Sequence, residues 1–119
     1  MEPEQIVRRT LKFVSVGSAV EYIYDNIVRP GDILILDRVA VENETSSYTQ
    51  LRIGVLSGGV FYPFEEQKTP SLDTLYWASD EIVVAPGENL VIELTGCTSG
   101  DKVNIYLCGI LNEKKRKEV

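Results

Sequence analysis

Apolar and polar positions alternate with a period of two through most of this chain. Leu90, Ile92 and Leu94 lie on one side of residues 89–95, and Val103, Ile105 and Leu107 on one side of residues 102–111. That alternation is the pattern of a half-buried β-strand. Between such runs the chain is punctuated at Gly17, Pro30-Gly31, Asn43 to Ser47, Gly58-Gly59, Pro63, Pro70, Pro86-Gly87 and Ser99-Gly100-Asp101. The spacing predicts strands over 6–16, 19–28, 32–42, 49–56, 59–65, 81–85, 89–95 and 102–111. About eight short strands with turns between them predict an all-β fold. The expected architecture is a two-sheet antiparallel β-sandwich of jelly-roll type, with alternate residues inside.

Some stretches carry finer expectations. Ser18-Ala19-Val20-Glu21 has the form of a helix capping box, and a helix over 19–28 would align Ala19, Ile23 and Ile27. Val20, Tyr22 and Tyr24 instead alternate with Glu21, and their β-branched and aromatic character favours a strand. Ile33 to Leu36 form an unbroken apolar run, which predicts cover on both faces. Alternation then resumes through Asp37-Arg38-Val39-Ala40-Val41-Glu42, a switch that marks a bulge or a passage to an edge. Gly58-Gly59 predicts a tight hairpin turn with positive φ. Ser71 to Ala78 reads as a loop or a short helical turn. The Ser99-Gly100-Asp101 turn predicts that 89–95 and 102–111 pair as a hairpin. In that hairpin Cys97 would sit near the turn facing Lys102, and Cys108 opposite Val91. Those positions lie too far apart for a disulfide, so two reduced, packed thiols are expected.

Length and charge narrow the picture. With 119 residues, 44% of them apolar, the chain suits a single domain with a real core. The expected division is a polar N-terminal arm over 1–5, a sandwich domain over 6–112 and a charged C-terminal tail over 113–119. No apolar stretch reaches the roughly 20 residues that span a bilayer, and Met1-Glu2-Pro3-Glu4-Gln5 is no secretory signal. A soluble protein made in a cytoplasm is expected, with no membrane partner. The net charge is −6, yet Lys114, Lys115, Arg116 and Lys117 supply four of the twelve cations. Outside residues 113–118 the chain carries eight basic and sixteen acidic side chains. Such a body repels nucleic-acid phosphate, so no nucleic-acid partner is expected for it. The basic tail reads either as a solvated end or as a contact for an acidic partner.

Catalytic chemistry is hard to find. The chain has no histidine, which removes histidine bases, His-based triads and His-ligated metals. No phosphate-cradling glycine loop opens a helix. Glu65, Glu66, Asp73, Asp80 and Glu81 are candidates for a glycosidase-type carboxylate pair, and Asp80, Glu81 and Asp101 for calcium. In each case solvated loop charge is the favoured reading. The expectation is no catalytic residue, no cofactor and no metal. Aromatic residues cluster at Phe61, Tyr62, Phe64, Tyr76 and Trp77. They suit an interface or a sugar-stacking platform, although Trp77 is expected to plug an open end of the sandwich. Val91, Tyr106, Cys108 and Ile110 make the second face of the last two strands too apolar for a solvated side, so another layer or a subunit must cover it. The candidate contact residues are therefore Tyr62, Phe64, Tyr76, Trp77, Val91, Tyr106 and Ile110.

The order of turns and strands carries a resemblance. It runs Val28-Arg29-Pro30-Gly31, Ile33 to Leu36, Val39-Ala40-Val41-Glu42-Asn43-Glu44-Thr45-Ser46 and Leu51-Arg52-Ile53-Gly54-Val55. An aromatic loop follows, then Ile82-Val83-Val84, Pro86-Gly87-Glu88-Asn89-Leu90, Gly100 to Ile105 and Gly109-Ile110-Leu111. Over residues 28–111 this resembles the small β-sandwich accessory proteins of tailed-phage virions. The resemblance implies a non-enzymatic structural subunit in a virion, decorating a capsid or forming a connector, tail or fibre. Its implied partners are copies of itself and capsid or tail proteins, and a polar arm over 1–5 would order on a neighbour. The alternative expectation is a ligand-binding module, with carbohydrate as the ligand, through Tyr62, Tyr76 and Trp77.

Overall fold

A computed structural model describes residues 4–113. Nine strands run in the order β1 (Glu4–Val14), β2 (Val20–Tyr24), β3 (Ile33–Asn43), β4 (Gln50–Ser57), β5 (Val60–Lys68), β6 (Tyr76–Trp77), β7 (Ile82–Val84), β8 (Asn89–Thr95) and β9 (Lys102–Asn112). They form two antiparallel sheets. Sheet A has the order β1-β9-β3-β6, with β7 also pairing β3, and sheet B the order β2-β8-β4-β5. The pairs β6 (Trp77 opposite Ala40) and β7 (Ile82 opposite Leu36) follow one another along the same strand. Together they make one interrupted edge strand, so nine segments fill eight strand positions. Except for the β4–β5 hairpin, each link carries the chain from one sheet to the other, which is jelly-roll connectivity. The all-β sandwich expected from the alternation is what the chain forms.

The core follows from the period of two. Leu90, Ile92 and Leu94 from sheet B and Val103, Ile105 and Leu107 from sheet A are all buried in one cluster with Leu36, Val39, Val41, Leu51 and Val84. Each fully buried aliphatic of this kind stabilises the fold by about 1.5–3 kcal/mol. The expected hairpin between 89–95 and 102–111 does not form. β8 pairs with β2 and β4, whereas β9 pairs with β1 and β3. The two apolar stripes therefore face each other across the sandwich instead of lying side by side. The link between them is a corner that crosses between sheets. Asp101, 1% exposed, accepts hydrogen bonds from Asn43 Nδ2 at 2.9 Å, Ser46 Oγ at 2.7 Å and Thr98 N at 2.8 Å.

Other expectations meet mixed fates. Residues 20–24 are strand, and Glu21 is a buried acceptor for Ser15 Oγ and Val16 N instead of a capping-box partner. The pattern switch in 32–42 coincides with a register shift between Leu36 and Arg38. Gly109 sits against that bulge, where a Cβ would strike the Ile35 carbonyl oxygen. The cover expected on both faces of Ile33 to Leu36 is missing: Leu34 and Leu36 are buried, but Ile33 is exposed and Ile35 partly so. Gly58 and Gly59 have φ of 58° and 80° and join β4 to β5 as a tight hairpin. Residues 71–78 are loop apart from the two-residue β6. Glu4 and Gln5, expected in a polar arm, pair with Asn112 and Leu111 as the start of β1. The expected tail begins at Glu113, and its residues 114–119, like arm residues 1–3, lie outside the described residues. Cys97 and Cys108 are free thiols.

Candidate functional site: the outer face of sheet A

Each strand of sheet A turns alternate residues away from the core. Register groups these outward residues into rows that cross the sheet. One row is Ile6, Ile110, Ile35 and Val83. Ile6 is 81% exposed, and Ile110 and Val83 are also open. The next row is Arg8, Cys108 and Arg38, and the third is Thr10, Tyr106, Ala40 and Trp77. Arg38 lies over the Trp77 ring at 5.8 Å, within the range of a cation–π contact. Beyond them Glu42 accepts from Tyr106 Oη at 2.7 Å and from Asn104 Nδ2 at 3.2 Å. The Glu42 carboxylate beside it raises the Tyr106 hydroxyl above the usual tyrosine value. A shallow depression of about 550 Å³ lies between Arg8, Thr10, Arg38, Trp77, Tyr106 and Cys108. Among the described residues no further layer covers this face.

Sheet B presents a different outer face. Tyr22 pairs with Glu93, Glu93 with Arg52 and Arg52 with Glu66 in one row. Arg52 holds Glu93 through two hydrogen bonds, 2.7 and 3.2 Å. The bonds from Arg52 lower the Glu93 carboxyl below the usual range despite the opposing effect of burial. Tyr22 stacks on Tyr24 at 6.4 Å and meets Phe61 edge-on at 6.1 Å, with Arg52 5.5 Å from the Phe61 ring. Sequence reasoning passed over this belt, although the alternation of Tyr22 and Tyr24 with Glu21 and Ile23 was its visible signal.

The seven candidate contact residues separate. Trp77, Tyr106 and Ile110 share the outer face of sheet A. Trp77 does not plug the sandwich: it is 52% exposed, and its neighbour Tyr76 packs against the core instead. The reason is parity, since Tyr76 pairs with inward Val41 and Trp77 with outward Ala40. Val91, expected on one contact face with Tyr106 and Ile110, is 1% exposed. It lies on sheet B between Tyr24 and Gly54 and offers no surface. Tyr62 and Phe64 are exposed on β5, the outer strand of sheet B. Tyr62, Tyr76 and Trp77 thus do not converge on a sugar platform.

Three of the candidate acids come together. Glu65, Asp80 and Glu81 line one groove with Phe64. Asp101 is engaged in the corner between β8 and β9. Among the described residues no group of three or more Cys, Asp or Glu side chains is placed to hold a metal ion.

No family model and no curated protein sequence matches the chain. Among solved structures it is similar to a chain from the Bacillus endospore appendages, described as a novel family of disulfide-linked pili. The two share 14% identity over 97% of this chain and 92% of that one, with a TM-score of 0.58. At that identity the likeness shows a common fold.

Proposed function

We propose that the protein is a non-enzymatic structural subunit that assembles with copies of itself into an appendage-like or virion-like particle, using the outer face of sheet A. The observation that carries this reading is the row Ile6, Ile110, Ile35 and Val83, which crosses four strands and is open to solvent. Soluble monomers rarely leave a contiguous apolar stripe of this kind uncovered. The face is also large enough. Strands of eleven residues spaced about 4.8 Å apart give it on the order of 700 Å². A stable interface takes roughly 600–1,000 Å² from each partner, a range that this area enters. The likeness to an appendage protein supports a filament, and the order of turns and strands supports a virion subunit.

The test is absolute mass by light scattering after size exclusion, for the natural chain and for Ile6→Lys with Ile110→Lys. A discrete oligomer or filament that becomes monomer in the doubly substituted chain, with its melting temperature kept, is the expected result. A natural chain that stays monomeric at high concentration and joins no particle sinks the proposal.

A second reading, a carbohydrate-binding module, has one observation in its favour: exposed Tyr22 and Tyr24, with half-buried Phe61, beside the Arg52–Glu93 pair. Aromatic faces with adjacent charged hydrogen-bonding groups suit sugar rings. Titration calorimetry against a glycan panel tests it, and heat that disappears in Tyr24→Ala is the result it requires.

A further inference from the structure

The rows on the outer face of sheet A are arranged so that only one way of joining two copies suits them all. The face has four strand positions: β1, β9, β3 and the interrupted edge of β6 and β7. The apolar row Ile6, Ile110, Ile35 and Val83 lies toward one end of the strands. Toward the other end lies the polar row Lys12, Asn104 and Glu42. Between them Arg8 and Arg38 stand on either side of Cys108. The ion pairs among the described residues use Arg9, Arg29 and Arg52 instead. Arg8 and Arg38 therefore bring charge to this face without a carboxylate of their own.

We propose that two copies pack these faces together about a two-fold axis that runs along the strands, between β9 and β3. This rests on the assembly reading above and gives it a symmetry and a register. An axis across the strands at mid-face would set the apolar row against the polar one, with Ile35 over Glu42 and Ile6 over Lys12. Moving that axis onto the apolar row keeps only about half of the face in contact, and the whole face is already at the low end of what a stable interface takes. An axis along β9 sets Arg8 against Arg38 of the second copy, and one along β3 sets Arg38 against its own counterpart. Each of these also leaves about a quarter of the face uncovered. Between β9 and β3 the whole face is used and the like charges part. Ile110 meets Ile35 of the second copy, Ile6 meets Val83, and Tyr106 meets Ala40, large against small. Cys108 faces Arg38, and Arg8 faces the link between β6 and β7, where Asp80 and Glu81 are exposed. Such a contact is isologous and closes on itself, so a larger particle grows from the pair through another surface.

The meeting of Ile6 with Val83 of the second copy gives the test. Within one chain these two residues lie on opposite edges of the sheet, three strand spacings or roughly 14 Å apart. Opposite charges placed there gain little from each other inside a chain. Ile6 is 81% exposed and Val83 50%, so both positions tolerate a charge. In the full chain, Ile6→Lys alone and Val83→Glu alone are each expected to weaken self-association at least tenfold by light scattering. The two changes together set lysine against glutamate twice across the axis and are expected to restore the assembly of the natural chain. The exchanged set, Ile6→Glu with Val83→Lys, is expected to do the same, and thermal melts check that every variant folds. If the natural chain assembles but the single changes leave it intact, or neither combination recovers what the single changes lose, the two-fold pairing is overturned while assembly in another arrangement stands. If the natural chain stays monomeric at high concentration, both readings fall.

Discussion

Asn43 donates to Asp101 at 2.9 Å, tying the end of β3 to the corner that carries the chain from β8 to β9. Both residues are buried. Burial alone would raise the Asp101 carboxyl, but hydrogen bonds from Asn43, Ser46 and Thr98 hold it below the usual range. A carboxylate whose value is lowered by folding stabilises the fold above its unfolded value, near 3.9. That stability is lost as pH falls through the lowered folded value. Asp101→Asn should therefore cost about 1–3 kcal/mol at neutral pH, and the difference from the natural chain should shrink as pH drops below about 4. Urea unfolding at pH 7 and pH 3 measures both. A difference that does not change with pH would show that the ionised carboxylate is not what holds the corner.

The two thiols should differ in reactivity. Burial pushes Cys97 up to about 11, and the neighbouring Asp101 and Glu21 carboxylates add to the shift. Cys108 is partly exposed on the outer face of sheet A between Arg8 and Arg38. One thiol per chain should react with a maleimide in the native unassembled protein, and the second only on unfolding. Cys108→Ser should remove the native reaction. If the reaction persists in Cys108→Ser, the assignment is wrong. Any covalent link between copies of the native chain would have to run through Cys108.

Arg9 in β1 reaches across the sandwich to Asp25, just after β2, at 2.6 Å. The Asp25 side chain is almost fully enclosed, whereas Arg9 keeps a third of its surface. Removing the cation strands a buried carboxylate; removing the carboxylate leaves a cation that can turn to water. Arg9→Ala should thus cost more than Asp25→Ala, roughly 3 against 1–2 kcal/mol. Comparative urea unfolding decides, and the reverse order would contradict the argument.

Gly109 and Gly54 each pass close to a neighbouring backbone. A Cβ on the first would meet the Ile35 carbonyl, and on the second the Tyr62 carbonyl. Neither neighbour is a flexible side-chain end, so each Gly→Ala change should cost about 1–3 kcal/mol. A thermal melt of Gly109→Ala that matches the natural chain would show that β3 and β9 can separate locally without loss.

The strands were legible because period two survives in every long run. Pairing was not, because Leu90-x-Ile92-x-Leu94 and Val103-x-Ile105-x-Leu107 look the same whether they lie side by side or face one another across a core. The difference lies in the link, where Asp101 finds its partners in Asn43 and Ser46, more than fifty positions away. The switch in pattern after Leu36 was visible, but it left a bulge and a passage to an edge both open, and the register shift between Leu36 and Arg38 decides for the bulge. The fate of Trp77 was not, because a two-residue strand reveals its parity only through its partner. Of the candidate face, Tyr106 and Ile110 were visible as a second stripe on β9, but its continuation through Ile35 to Val83 needs the register of three strand pairs.

The turn at Gly58-Gly59 has a practical consequence. A Cβ at either glycine would meet nothing within 4 Å, and the turn belongs to the β4–β5 hairpin of sheet B, away from the outer face of sheet A. A short epitope spliced between these two glycines would be displayed without entering that proposed contact. In an assembled particle the label would recur once per subunit, giving antibody labelling in electron micrographs a direct read of subunit spacing and polarity.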